Sequence, residues 1–153
     1  MIVKLKNLHT IVTLIGISGS GKSTKAEQLN ELAKSKGLKS VILSSDDCRR
    51  ELLLDDRYHH HDPEMTHVSD KAFGLLMHKL SLYLKWPYNA NLIILDMMNL
   101  YKEDRQKIID LADKHCYDVI AVVLDYSNIE EYFETKEKVK EGKNQSNFAF
   151  GQR

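Results

Sequence analysis

The stretch Gly16-Ile17-Ser18-Gly19-Ser20-Gly21-Lys22-Ser23-Thr24 fits the pattern G-x-x-x-x-G-K-[ST], a phosphate-binding P-loop. Its flanks agree with that reading. Before it, Thr10-Ile11-Val12-Thr13-Leu14-Ile15 is β-branched and apolar, as a buried parallel strand should be. After it, Ala26, Leu29, Leu32 and Ala33 recur at helical spacing. In a strand, glycine turn and helix, backbone N–H groups converge on an anion. Lys22 can place its ammonium on the β- and γ-phosphates of a nucleotide, and the Ser23 hydroxyl can ligate Mg²⁺. A chance glycine-rich turn is the plain alternative, and the correctly placed strand and helix argue against it.

Around this motif the pattern alternates. It predicts a strand over Thr10 to Ile15, a helix from Lys22 to Ser35, a strand over Lys39 to Leu43 and a short helix from Asp47 to Leu54. Residues 55–69 are polar and read as a loop. The run His59-His60-His61 beside Asp62 tempts a metal reading, but adjacent histidines do not converge on one ion as histidines four apart on a helix do. Ser69-Asp70 should cap a long helix whose stripe of Phe73, Leu76, Met77, Leu80 and Leu84 is core packing. Leu92-Ile93-Ile94-Leu95-Asp96 reads as a third strand closed by a carboxylate. A helix from Lys102 to His115, with Ile108, Leu111 and Ala112 inward, and a strand over Val119 to Leu124 follow. This alternation predicts an α/β, three-layer P-loop NTPase fold with a central parallel sheet, in one domain over residues 1–153.

The net charge is zero, which excludes a globally basic nucleic-acid binder and requires any such recognition to be local. The two cysteines, Cys48 and Cys116, make no disulfide framework, and Cys48 reads as a semi-buried, inert thiol. No apolar run is long enough to span a bilayer, and Met1 to Lys6 lacks the apolar core of a signal peptide. The expected setting is cytoplasmic, without a membrane partner.

In an open parallel sheet, ligands sit at the carboxyl ends of the strands. Those ends carry Lys22 and Ser23, then Asp46 and Arg49, then Asp96 and Asn99. Phosphoryl transfer to a hydroxyl needs such a set: lysine and Mg²⁺ on the donor, a carboxylate to take the acceptor's proton, and an arginine to orient the acceptor. Each has a plain alternative. Asp46 could be a helix N-cap, Arg49 half of a surface salt bridge, and Asp96 and Asn99 strand-end caps.

Gly16 to Thr24, Ser45-Asp46-Asp47-Cys48-Arg49, and Asp96-Met97-Met98-Asn99 followed by Arg105 resemble the P-loop 5′-hydroxyl polynucleotide kinase family. The likeness is to the kinase domain of bacterial polynucleotide kinase-phosphatase, over about residues 10–125. It implies an enzyme of nucleic-acid repair that moves the γ-phosphoryl of ATP to a 5′-hydroxyl end of RNA or DNA. It implies Asp46 as general base, Arg49 on the acceptor's phosphate, and Lys22 and Ser23 as the loop residues. ATP would be held by Gly16, Ser18, Gly19, Ser20, Gly21, Lys22, Ser23 and Thr24, and Mg²⁺ by Ser23 and Asp96. Two departures are visible: Met98 stands where the family usually has threonine, and Thr135-Lys136 stands where its lid carries arginine, leaving Arg153 as the last candidate. Adenylylsulfate kinases and seryl-tRNA kinases share a similar set, so another hydroxyl acceptor is the alternative, and a non-catalytic nucleotide-binding module is the alternative of a different class. The family continues past the lid into a further helix and strand. The expectation is therefore a fragment, or a chain completed by self-association or a fused or partner domain.

Overall fold

The computed structural model describes residues 9–17, 19–54 and 65–124, in the last of these with side chains from residue 68 onward. The elements are β1 (Thr10–Ile15), α1 (Lys22–Ser35), β2 (Ser40–Ser44), α2 (Ser45–Leu53), α3 (Met65–Tyr83), β3 (Leu92–Asp96), α4 (Lys102–Lys114) and β4 (Asp118–Val123). All strand pairs are parallel, in the order β2-β3-β1-β4. The α/β reading with a central parallel sheet therefore holds. β1 lies inside the sheet, with Leu14 opposite both Asp96 of β3 and Val122 of β4. That register brings the ends of β1 and β3 together, so the phosphate loop and Asp96 share one rim.

The period-two alternation of the strands sorts the core into two halves. Ile93 and Leu95 face one way and pack with Leu76 and Leu80 of α3, Leu84 just beyond it, and Ile108 and Ala112 of α4. Leu92 and Ile94 face the other way, with Val12, Leu14 and the α1 residues Ala26 and Ala33. Helices thus cover both faces, and central strands buried on both sides read as continuous apolar runs.

Several details differ from the sequence pattern, β4 (Asp118–Val123) and the end of α4 at Lys114 by one residue each. β2 runs from Ser40 to Ser44, one residue later than expected. α2 starts at Ser45, because Ser44 is the N-cap, its side chain accepting from the Asp47 N–H at 3.4 Å. α3 begins at Met65, so Ser69 and Asp70 lie within the helix and do not cap it. Leu32 of α1 is 54% exposed, not core. The smaller Ala26 and Ala33 let α1 sit close on the sheet, and Leu32 falls outside that contact.

Cys48 is buried, and burial pushes its thiol pKa up, consistent with an inert packing role. Among the described residues no helix is long and apolar enough to cross a membrane. Ser18, the His59-His61 run, the Glu- and Lys-rich stretch after residue 128, Thr135-Lys136 and Arg153 lie outside the described residues.

Candidate active site

β1 delivers the chain to Gly16, which is buried. A Cβ there would meet Ser20 Oγ at 2.6 Å and the Leu124 carbonyl oxygen at 3.2 Å. Glycine is therefore required at this position by close approach. Gly21, with φ 89°, is required by backbone conformation, since it turns the chain into α1 through the left-handed region. No described side chain caps α1, and its first turn holds no acidic residue, so the positive end of the helix faces the loop. Gly16→Ala should lower nucleotide affinity about tenfold, because overpacking costs roughly 1–3 kcal/mol and is relieved only by moving the loop. Titration of an ATP analogue against variant and wild type measures this, and unchanged affinity would mean that the loop adjusts without cost.

Lys22 opens α1 and is buried. Its Nζ donates to the Ile17 carbonyl at 2.9 Å. Burial pulls its pKa down, and the carboxylates of Asp96 and Asp46 oppose that shift. Both acids are therefore electrostatic neighbours of the loop lysine. The next residue, Ser23, donates through Oγ to Asp96 Oδ2 at 2.8 Å. A hydroxyl and a carboxylate side by side are hard oxygen donors, and a site with one carboxylate that takes its other ligands from phosphate and water suits Mg²⁺. Among the described residues no cluster of three or more His, Cys, Asp or Glu could hold a metal ion by itself.

Asp46 and Arg49 stand one helical turn apart at the start of α2, directly after the end of β2. Arg49 donates from one guanidinium nitrogen to Asp46 Oδ1 at 2.8 Å and to Ser45 Oγ at 3.3 Å. Ser44 is the cap of α2, so the N-cap explanation of Asp46 does not hold. Arg49 does form an ion pair, but with the candidate base itself and in a wall of the cleft. Asp47, whose side chain is 63% exposed, pairs with Arg50.

The loop after β3 is fastened to the P-loop side. Asn99 is 3% exposed, has φ 51°, and donates through Nδ2 to Thr13 Oγ1 of β1 at 2.6 Å. The Gly16 N–H donates to the Met98 carbonyl at 3.4 Å. Arg105 donates to the carbonyls of Asn99 and Leu100 at 2.9 and 2.7 Å. Arg105 thus has a structural task, and Asn99 ties its loop to β1 through Nδ2 while its buried Oδ1, in a residue that lines the cleft, has no protein partner among the described residues.

These parts enclose one cleft of about 880 Å³, lined by the P-loop residues, Asp46, Arg49 and Asp96. The structure thus places these sequence-read groups around one space. Sequence reasoning did not single out Phe73, Tyr101 and Lys107 as site residues, and they also line the cleft. Phe73 was read as core; it is only partly buried, and the Lys107 ammonium sits 5.5 Å from its ring centre. The only signal for Tyr101 was its place just beyond Asp96-Met97-Met98-Asn99.

A parallel sheet whose inner strand ends in a glycine-rich phosphate loop, with a hydroxyl and a carboxylate meeting beside the loop lysine, defines a P-loop kinase-like nucleotide-binding domain. The chain belongs to the AAA domain family AAA_33, whose model matches residues 11–151. Among curated proteins none matches it by sequence. Solved structures share its fold. A mutant of the Mycobacterium tuberculosis APS kinase CysC is 20% identical, with TM-score 0.57 over 86% of this chain and 95% of that one. The same kinase in complex with AMPPNP and APS is 20% identical, with TM-score 0.57 over 76% of this chain; this chain spans 62% of that one. APE1195 is 16% identical, with TM-score 0.60 over 94% of this chain and 76% of that one.

Proposed function

We propose that this protein transfers the γ-phosphoryl group of ATP to a hydroxyl, and that the acceptor is a 5′-hydroxyl end of RNA or DNA. The observation that carries this reading is the shared cleft, in which Lys22, Ser23 and Asp96 line the same space as Asp46 and Arg49. A nucleotide-binding switch needs the first three and has no use for a carboxylate on the acceptor side. The solved complex of an APS kinase with AMPPNP and APS supports a nucleotide donor in this fold.

In the reaction, loop amides and the N-terminus of α1 hold the donor phosphates, and Lys22 balances charge on the β- and γ-phosphates. Asp46 accepts the acceptor's hydroxyl proton as the new oxygen–phosphorus bond forms and the bond to ADP breaks. Arg49 holds that carboxylate in position, and its remaining donors can meet a phosphate on the acceptor. Ser23 and Asp96 would hold Mg²⁺, which when bound neutralises charge on the transferring phosphoryl group.

The second reading takes adenylylsulfate as the acceptor, and the APS kinase fold neighbours favour it. One experiment separates them. The purified chain receives labelled ATP with a 5′-hydroxyl oligonucleotide, adenylylsulfate and seryl-tRNA as competing acceptors. Label on the oligonucleotide is the expected result. Label on adenylylsulfate moves the acceptor assignment to the second reading, and label on none of the three rejects both.

A further inference from the structure

We propose that Tyr101 is the stacking platform for the terminal nucleobase of the acceptor, and so determines specificity for a nucleotide end. This rests on the phosphotransfer reading above. Tyr101 lines the cleft yet is 72% exposed, and it precedes α4 without a side-chain capping bond. Met98 and Leu100, beside it on the same loop, also line the cleft and are each 44% exposed. The fold gains little from this apolar wall, because none of the three contributes to either half of the core.

The loop that presents the wall is nevertheless fixed. Asn99 ties it to Thr13, Met98 ties it to Gly16, and Arg105 holds two of its carbonyls. A flat ring held out over a cleft on a fastened loop is a preorganised surface, which lowers the ordering cost of binding. Its chemical match is another flat apolar face. The base of a terminal nucleotide lies within a few bonds of its own 5′-hydroxyl, so a hydroxyl delivered to Asp46 brings its base to the walls of the same cleft. Charge there is mixed and discriminates little, since Lys107, Asp70 and Asp104 line the same cleft. The ring is the selective element.

The test uses the full chain, wild type and Tyr101→Ala, with two 5′-hydroxyl oligonucleotides. One is complete, and in the other the first nucleotide is an abasic tetrahydrofuran. Stacking of a base on an aromatic side chain predicts that the variant loses about 5- to 150-fold in kcat/KM on the complete oligonucleotide. On the abasic one, variant and wild type should agree within about twofold, and Tyr101→Phe should behave as wild type on both. Equal losses on both oligonucleotides, or no loss on either, would overturn the assignment. If wild type phosphorylates neither, the phosphotransfer reading fails while stacking is still decided by fluorescence. An oligonucleotide with 2-aminopurine at its 5′ end should then be quenched by wild type and not by Tyr101→Ala. Absence of that difference would reject the platform.

Discussion

Lys22→Ala should reduce phosphoryl transfer by on the order of 10³-fold or more, with the chain still folded. The side chain occupies the first turn of α1, buried at the rim where β1 ends, and its ammonium reaches back to the Ile17 carbonyl. Burial of an ammonium is unfavourable, and the fall in the Lys22 pKa records it. An arriving triphosphate exchanges one neutral carbonyl for charged oxygens and so compensates the buried charge. The same lysine therefore serves donor binding and charge balance in the transition state, which is why its loss should fall on kcat as well as on ATP affinity.

A pH dependence follows from the same shift. In the unfolded chain Lys22 keeps its ordinary value of 10.5, and in the folded chain it titrates lower. Between the two values the unfolded state binds the proton more tightly, so this residue makes the folded state more stable as pH rises through that window. Below the folded value the full penalty of the buried charge is present. Urea melts of wild type and Lys22→Met across the alkaline range should diverge accordingly, with the wild type gaining relative to the variant as pH rises. The methionine keeps the apolar stem packed, so the comparison isolates the charge. Wild-type turnover in the folded alanine variant would remove the loop's assignment as the donor site.

The donor half of the cleft was legible in the sequence because it is made of consecutive residues. Glycines spaced for a tight turn, a lysine and a hydroxyl form one local motif, and the strand and helix on either side carry their own periodicities. The end of β3 was legible for a similar reason, as an apolar run closed by Asp96. What the sequence did not reveal depends on packing between distant elements. Thr13 gives no sign of bonding to Asn99 in a loop more than eighty residues on. Phe73 sits in a helical stripe with Leu76 and Leu80, and only the position of Lys107 across from it shows that its ring belongs to a cleft. Asp46 looked like a cap because Ser44, Ser45, Asp46 and Asp47 all favour that role. The choice fell to Ser44, whose oxygen reaches the Asp47 amide, and that freed Asp46 for the wall of the cleft.

Asp46→Asn should lower kcat by about 10²- to 10⁴-fold, the usual contribution of a general base, while ATP affinity changes little. The substitution keeps the shape of the side chain and removes its ability to accept a proton. Asp46 lies in the first turn of α2, where its charge also complements the helix dipole, an effect worth roughly 0.3–1 kcal/mol. Some loss of thermal stability is therefore expected and says nothing about chemistry. The neighbouring Asp47 supplies the control. It occupies the same first turn, carries the same charge and makes the same 2.8 Å ion pair one turn on, with Arg50, but it does not line the cleft. Asp47→Asn should thus match the stability loss of Asp46→Asn and leave kcat within about twofold of wild type. The comparison requires kcat and the thermal midpoint for both variants at one pH. Arg49→Ala adds a third arm. Without the guanidinium 2.8 Å from Oδ1, the carboxylate loses its charged partner and the contact that orients it, so activity should fall. If both asparagine variants kept wild-type kcat, Asp46 would be a helix-stabilising acid like its neighbour, and the base would have to be sought among the other carboxylates of the cleft, Asp70, Asp96 and Asp104.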